Sequence, residues 1–398
     1  MRNALGRKMK KKNVLIRAPL LSYSGYGTHS RQIFKWLLSR DDVEIYSHIV
    51  PWGITSWMIN PDLEDGLMGD IMSSSRQLPP NETFDISFQV QLPNEWDSTL
   101  AQTNIGISAF VETDRCNPNW IQCCNNMDAV IVPSQHVKTC IYNTGQVTKP
   151  LFVIPESYYE CLSNDDIKDL DLDFDTPFNF LVFGQLTGKN PDSDRKNLFY
   201  TVKWLCETFK DNPDVGIVIK TNSGRNTKID RVVTTRVLSR LIEETRIGDY
   251  PKIHFLHGSM TQDEIASLYR HPKVKALVSL TRGEGYGLPL LEAAVSGMPI
   301  IATGWSGHLD FMGHGKFLDV KYNLQEIHSS RVDNNIFIPG ARWAEPIEED
   351  AKRRFQKFYK SPGTPTKWAE SLSKKLKDMY SQEKINQLYS ESLELLFK

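Results

Sequence analysis

The chain is poor in cysteine, has no long apolar run and carries almost no net charge, and each shortage removes a class of function. Six cysteines in 398 residues, at 116, 123, 124, 140, 161 and 206, do not make a disulfide framework. Cys116, Cys123 and Cys124 cluster, but their C-x6-C-C spacing is not that of a common zinc ribbon, so the cysteines are read as reduced and mostly structural. No segment approaches the roughly 20 apolar residues that cross a bilayer, and the basic opening "MRNALGRKMKKK" lacks the apolar core of a secretory signal. The expectation is a soluble, cytoplasmic protein without a transmembrane segment. A net charge of −1 offers no global attraction to nucleic acid or to a membrane surface, and the basic first dozen residues read as a solvated, frayed terminus. The nine histidines are scattered. His29, His257 and His308 fall in loops expected near a cleft but have no metal-ligand spacing, so no metal is expected. There is no G-x-S-x-G elbow, and "SGYGTHS" is not a G-x4-G-K-[ST] phosphate loop.

What is present is an ordinary globular composition, 40% hydrophobic and 24% charged, in a chain long enough for two domains. "KNVLIRAPL" (12–20) predicts a buried strand, "SGYGTHS" a glycine loop, and "RQIFKWLLSR" a helix, which together open a parallel α/β sheet. Further strands are predicted at "VEIYSHIV", "FDISFQVQL", "NIGISAFV", "DAVIVPS" and "PLFVIP". A second set follows at "FNFLVFG", "VGIVIKT", "KIHFLHG", "VKALVSL" and "PIIAT". The pattern predicts an α/β protein of two Rossmann-like, doubly wound parallel-sheet domains facing an interdomain cleft. Residues 1–157 form the first domain and the acidic stretch 158–177 the connection. Residues 178–365 form the second domain, and the amphipathic stretch 366–398 forms C-terminal helices packing back on the first.

The most informative stretch is "SLTRGEGYGLPLLEAAVSGMP" (279–299). It reads as strand, glycine turn and helix, with Pro289 in the first helical turn and Gly297 as the stop. Helix N-termini present free N–H groups, so the turn suits an anion, most naturally a phosphate. Glu292 lies about one turn into the helix, too deep to be a cap, where a carboxylate can accept both hydroxyls of a ribose. Glu284 lies before the anion position, within reach of a group attached to the phosphate. Glycine content alone favours a packed strand-helix junction with exposed glutamates.

The residues Glu284-Gly285-Tyr286-Gly287-Leu288-Pro289, then Glu292-Ala293-Ala294, then Gly297-Met298-Pro299-Ile300-Ile301-Ala302 resemble the E-x7-E signature of retaining GT-B-fold glycosyltransferases, the superfamily that includes family 4 and the glycogen synthases. "FLVFGQLTGKNPDSDRKN" resembles the first strand of that family's second domain, which puts Arg195 and Lys196 in phosphate-binding positions. Gly25 and Gly27 match the first-domain glycine loop that closes on the diphosphate. "WSGHLDF" (305–311) and "RWAEP" (342–346) resemble later family segments. Many members carry a histidine near the transferred sugar. Here "ISAFVETDRCNPNW" instead resembles a W/F-x-E…P-x-W pattern through Glu112, Pro118 and Trp120, with five residues between Glu112 and Pro118. Glu112 is then the candidate to contact the sugar or the acceptor hydroxyl, with Asp114 as its neighbouring alternative.

The resemblance implies a retaining, metal-independent hexosyl- or pentosyltransferase that moves a sugar from a nucleotide-diphosphate sugar, UDP- or GDP-linked, to a hydroxyl. The implied acceptor is a glycan or a lipid-linked glycan, and no further cofactor is expected. Arg195, Lys196, Glu284 and Glu112 would be catalytic; Gly25, Gly27, Gly285, Tyr286, Gly287, Leu288 and Glu292 would bind the donor. "DSD" (192–194) has the D-x-D form of metal-dependent transferases of the other major fold, but it stands in the loop before the basic pair, where a metal role is not expected. One alternative is transfer to a hydroxymethylated base in DNA, with the basic arm at 7–12 on the phosphates. Another, ranked lower, is a non-catalytic sugar-nucleotide-binding protein.

Overall fold

The computed structural model describes residues 11–397 apart from 165, 166, 168, 169, 186 and 223. Two six-stranded sheets carry the architecture. The first runs in the order β2-β1-β3-β4-β5-β6, with β1 Lys12–Ala18, β2 Val43–Ile49, β3 Phe84–Val90, β4 Ala101–Ile107, β5 Ala129–Val132 and β6 Leu151–Val153. The second runs β12-β11-β10-β7-β8-β9, with β7 Phe178–Phe183, β8 Val215–Thr221, β9 Lys252–His257, β10 Val274–Ser279, β11 Ile300–Thr303 and β12 Leu318–Val320. Every pairing within these two sheets is parallel. Parallel strands are covered by helices on both faces, so they read as unbroken apolar runs; all seven residues of β8 are buried. A hairpin of β13 (Tyr322–Glu326) and β14 (Arg342–Pro346) stands apart from both sheets.

In each sheet the strand order reverses beside the first strand, between β1 and β3 and between β7 and β10. Chain leaving the carboxyl ends of these neighbours diverges to opposite faces, which opens a crevice there. The segments at the two crevices are the glycine loop after β1, the loop carrying Arg195 and Lys196 after β7, and the glutamate turn after β10. Topology thus brings together the residues that the motifs single out.

The C-terminal helices divide between the two domains. The stretch from 366 does not pack as a whole on the first domain. Leu372 and Leu376, on the helix Gly363–Met379, join the second-domain core, and Ser373 Oγ donates to the Val295 carbonyl at 2.5 Å. The helix Gln382–Ser392 and the residues after it cross over, with Leu393 and Phe397 on the first-domain core. Tyr389 of this helix stacks on Trp36 with ring centroids 5.0 Å apart, and Trp36 Nε1 donates to Ser390 Oγ at 2.9 Å. The connecting stretch is also less free than its acidity suggests, because Tyr158, Leu162 and Phe174 are buried in the second-domain core.

Candidate active site

The loop after β7 is folded around one carboxylate. Asp194 Oδ1 accepts from Thr187 N at 2.9 Å and from Thr187 Oγ1 at 2.8 Å, and Asp194 Oδ2 accepts from Leu198 N at 2.8 Å. Asp192 Oδ1 accepts from Tyr200 OH at 2.8 Å. The "DSD" acids therefore serve to build the turn that presents Arg195 and Lys196. Among the described residues no group of three His, Cys, Asp or Glu side chains could hold a metal ion.

Arg195 and Lys196 converge on Glu284. Lys196 Nζ lies 2.7 Å from Glu284 Oε1, and Arg195 Nη1 lies 3.2 Å from Oε2. The other end of the Arg195 fork, Nη2, is 3.2 Å from Glu112 Oε1 of the first domain, while Nη1 also donates to the Gly283 carbonyl at 2.7 Å. Burial alone would raise the Glu284 carboxyl, but the adjacent Lys196 and Arg195 charges outweigh it and bring it down to about 2. Glu284 is thus a permanent carboxylate at working pH, and the cations are fixed on it before any ligand arrives. Asp114, the alternative to Glu112, is turned away. Its Oδ2 meets Arg342 Nε at 2.8 Å and its Oδ1 accepts from Arg342 N at 2.7 Å, so both oxygens are committed to clasping β14 to the first domain.

The glutamate turn is fixed from behind by the "WSGH" segment. Glu284 N donates to Ser306 Oγ at 2.9 Å, and Gly307 N donates to the Glu284 carbonyl at 2.9 Å. His308 is buried, which lowers its basicity, and its Nε2 is 2.8 Å from the Thr303 carbonyl. A neutral ring donating from Nε2 leaves Nδ1 free to face the Ser306 hydroxyl, 3.4 Å away. Ser306 pays for this position with φ +92, a conformation L-residues seldom adopt.

Two members of the expected donor-binding set carry structural contacts. A Cβ on Gly283 would stand 2.2 Å from the Glu112 carbonyl, and one on Gly285 2.7 Å from the Ala109 carbonyl. The Gly285 carbonyl itself accepts from Ser134 Oγ at 2.6 Å. This part of the turn is the joint between the domains, so Gly285 is needed for close approach of backbones. Tyr286 points its ring into the second-domain core against Phe311, and its hydroxyl donates to the Glu156 carbonyl at 2.8 Å. Gly287 and Leu288 stand at the start of the helix that follows. Gly287 has φ +102 and precedes the helix Leu288–Val295, which has Pro289 in its first turn. The first N–H groups of a helix have no partner within it.

Glu292 is buried on that helix, and Tyr269 OH donates to its Oε2 at 3.3 Å. Burial pushes its carboxyl up to about 8. Glu156, just beyond β6, is likewise pushed up to about 8 by burial and by the charge of Glu292. One Glu156 oxygen, Oε2, has no hydrogen-bond partner among the described residues. On the first-domain side, Ser24 caps the helix Gly25–Leu38 by accepting from Gly27 N at 3.0 Å. A Cβ on Gly27 would collide with the Ser22 carbonyl at 2.2 Å, whereas around Gly25 nothing lies within 4 Å, leaving room at the loop.

Residues 205–330 match the family model of glycosyl transferases group 1. No curated protein matches the chain in sequence. Among solved structures, sucrose-phosphate synthase from Thermosynechococcus elongatus is 12% identical and superposes with a TM-score of 0.63, covering 97% of this chain and 99% of that one. The fold is GT-B. Anabaena Alr3699/HepE, solved in complex with UDP-glucose, is 14% identical with a TM-score of 0.57, covering 96% of this chain and 99% of its own. The pneumococcal O-GlcNAc transferase GtfA, solved with UDP and GlcNAc, is 14% identical with a TM-score of 0.51, and this chain spans 57% of its length. The family match and the shared GT-B fold support glycosyl transfer as the chemistry. No helix among the described residues is long and apolar enough to cross a membrane.

Sequence reasoning missed Ser306, Glu156 and Arg282. The first two act through partners 22 and 136 residues from them, and nothing local marks them. Arg282 stands inside the quoted motif, but only its pairing with Glu345 shows what it does.

Proposed function

We propose that the protein is a retaining glycosyltransferase that uses a nucleotide-diphosphate sugar and hands the sugar to a hydroxyl of a glycan or lipid-linked glycan. The observation carrying this reading is the convergence of Arg195 and Lys196 on Glu284, with Glu112 facing them from the other domain. In this reading the donor diphosphate takes the cations and the N-terminus of the Leu288–Val295 helix. Charge developing on the leaving phosphate is met by groups already in place, without a metal ion. Glu284 contacts the transferred sugar, and Glu292 accepts the ribose hydroxyls. The acceptor enters on the face the nucleotide leaves, and its proton passes to the leaving phosphate, with Glu112 orienting the hydroxyl. The UDP-bound and UDP-glucose-bound relatives support such a donor. Residues 7–10 of the basic arm lie outside the described residues, and no observation favours a DNA acceptor.

A screen of donor hydrolysis across UDP- and GDP-sugars tests the reading directly, and a protein that hydrolyses and binds none of them would refute it. Glu292 gives a sharper test. A carboxyl raised to about 8 is protonated at pH 6, and only the carboxylate can accept both ribose hydroxyls. UDP-glucose, whose phosphates do not titrate in this range, should bind several-fold more tightly per pH unit from 6 to 8. Glu292→Gln should flatten this dependence and weaken binding by about tenfold, the worth of one or two hydrogen bonds. The sign for stability is opposite: the raised group contributes fully below its unfolded value, and that contribution is lost as pH rises through about 8. Calorimetric binding at several pH values reads both proteins, and a flat wild-type profile would remove Glu292 from the ribose.

A further inference from the structure

Between β13 and β14 the second domain extends an arm onto the first. Ile327, Phe337, Ala341 and Trp343 share an apolar cluster with Phe110, Val111, Cys116 and Trp120. Asn117 Nδ2 donates to the carbonyls of Asn334 and Asn335 at 3.3 and 3.0 Å. At the base of the arm the turn Ser329–Arg331 touches the loop that carries the cations, where Asn190 Nδ2 donates to Ser330 Oγ at 3.0 Å. The position of Arg331 is therefore fixed from both sides.

The Arg331 guanidinium lies over the Phe337 ring, 4.1 Å from its centroid. Its Nε is buried without a hydrogen-bond partner among the described residues. The acids in its field are already engaged: Glu112 with Arg195 at 3.2 Å, Asp194 with Thr187 and Leu198, and Asp333 with the backbone of Asn335, Ile336 and Phe337. Burial and the nearby Arg195 charge both disfavour its protonated form, while Glu112, Asp333 and Asp194 favour it. Desolvating a guanidinium beside a second one is costly unless an anion joins them, and arginine forks are well shaped for phosphate or carboxylate. Phe337, on which Arg331 stacks, lies in one apolar cluster with Phe110 and Val111, the residues just before Glu112. Arg331 thus stands on the Glu112 side of the site, beside the loop that carries Arg195.

We infer that Arg331 binds an anionic group carried by the acceptor, which makes the acceptor a phosphorylated or acidic sugar. The inference rests on the transferase reading, since that reading makes the Glu112 flank the acceptor side. The test is calorimetric binding to the full chain saturated with UDP or GDP, whichever binds, so that the diphosphate positions are filled. The titrants are glucose 6-phosphate, glucuronate and glucose. At least one anionic sugar should bind tenfold more tightly than glucose. Arg331→Ala should bring the two within twofold, and Arg331→Lys, which keeps the charge without the fork, should recover part of the difference. Equal affinity for anionic and neutral sugars in the wild type, or a preference that survives Arg331→Ala, overturns the inference. So does a tenfold loss of UDP affinity in Arg331→Ala, which would place the residue on the donor, or preferential binding of hydroxymethylated duplex DNA. If neither UDP nor GDP binds, the transferase reading fails separately, and the sugar preference is then measured on the unliganded protein.

Discussion

Arg195→Ala should lower the turnover of transfer by about 10²–10³-fold, the loss typical of removing one fixed charge or donor from a developing anion. Its two ends join Glu112 of the first domain to Glu284 of the second, at 3.2 Å each. Truncation removes a cation from the proposed leaving phosphate and also the counter-charge between two carboxylates that face each other across the domain joint. Lys196 still neutralises Glu284 in the variant, at 2.7 Å. The nucleotide should therefore keep much of its affinity, and the damage should fall on kcat more than on KM. Arg195→Lys should restore little, because a single ammonium cannot reach both carboxylates as the fork does. Steady-state kinetics on both variants, with thermal unfolding as the check on folding, reads the result. Donor turnover at the wild-type rate in Arg195→Ala would end the catalytic assignment.

How much of this was legible in the sequence depends on the range of the interaction. β1 and β7 announce themselves as apolar runs with turn residues after them, and the glutamate turn and its helix are complete within twenty-one residues. These parts needed no tertiary information. The strand predicted at "NIGISAFV" ends at Ile107, earlier than its apolar residues suggest, because Phe110 takes φ +52 and Val111 turns into the cluster under the arm. β12 has only three residues and gives no periodic signal. The hairpin arm was hard to read because its apolar residues, Phe337 and Trp343, have no period of their own and are buried against each other and against the other domain. The candidate site divides in the same way. Glu284, Arg195 and Lys196 stand in local motifs, whereas the positioning roles of Ser306 and Asp194, though both lie in recognisable segments, show only once the fold closes. Glycine content allowed either an anion seat or a packed junction, and Gly283 and Gly285 lie against the backbone of residues 109–112.

Arg282 shows what such a long-range partner is worth, and its replacement by alanine should cost about 3–5 kcal/mol of stability. The residue is 1% exposed. It holds Glu345 with Nε at 2.5 Å and Nη2 at 3.0 Å, and Nη1 donates to the carbonyls of Pro191 at 2.8 Å and Asp194 at 2.7 Å. Its backbone joins the same structures, donating to the Arg195 carbonyl at 2.8 Å and accepting from Ala344 N at 3.0 Å. Truncation would leave a carboxylate and two carbonyls without the donor they share, and buried acceptors left unmade are costly. Arg282→Lys should recover less than half, since one ammonium cannot serve a bidentate carboxylate and two carbonyls together. Denaturant unfolding of both variants, in a double-mutant cycle with Glu345→Gln, measures the coupling. A cost below about 1 kcal/mol for Arg282→Ala would mean that the pair only repays its own desolvation. Because Arg282 fixes the carbonyls at either end of the Pro191–Asp194 turn, its loss should also loosen Arg195 and lower kcat before the protein unfolds. That separates it from Arg195 itself: Arg282→Ala should lose stability and turnover together, whereas Arg195→Ala should lose chiefly turnover.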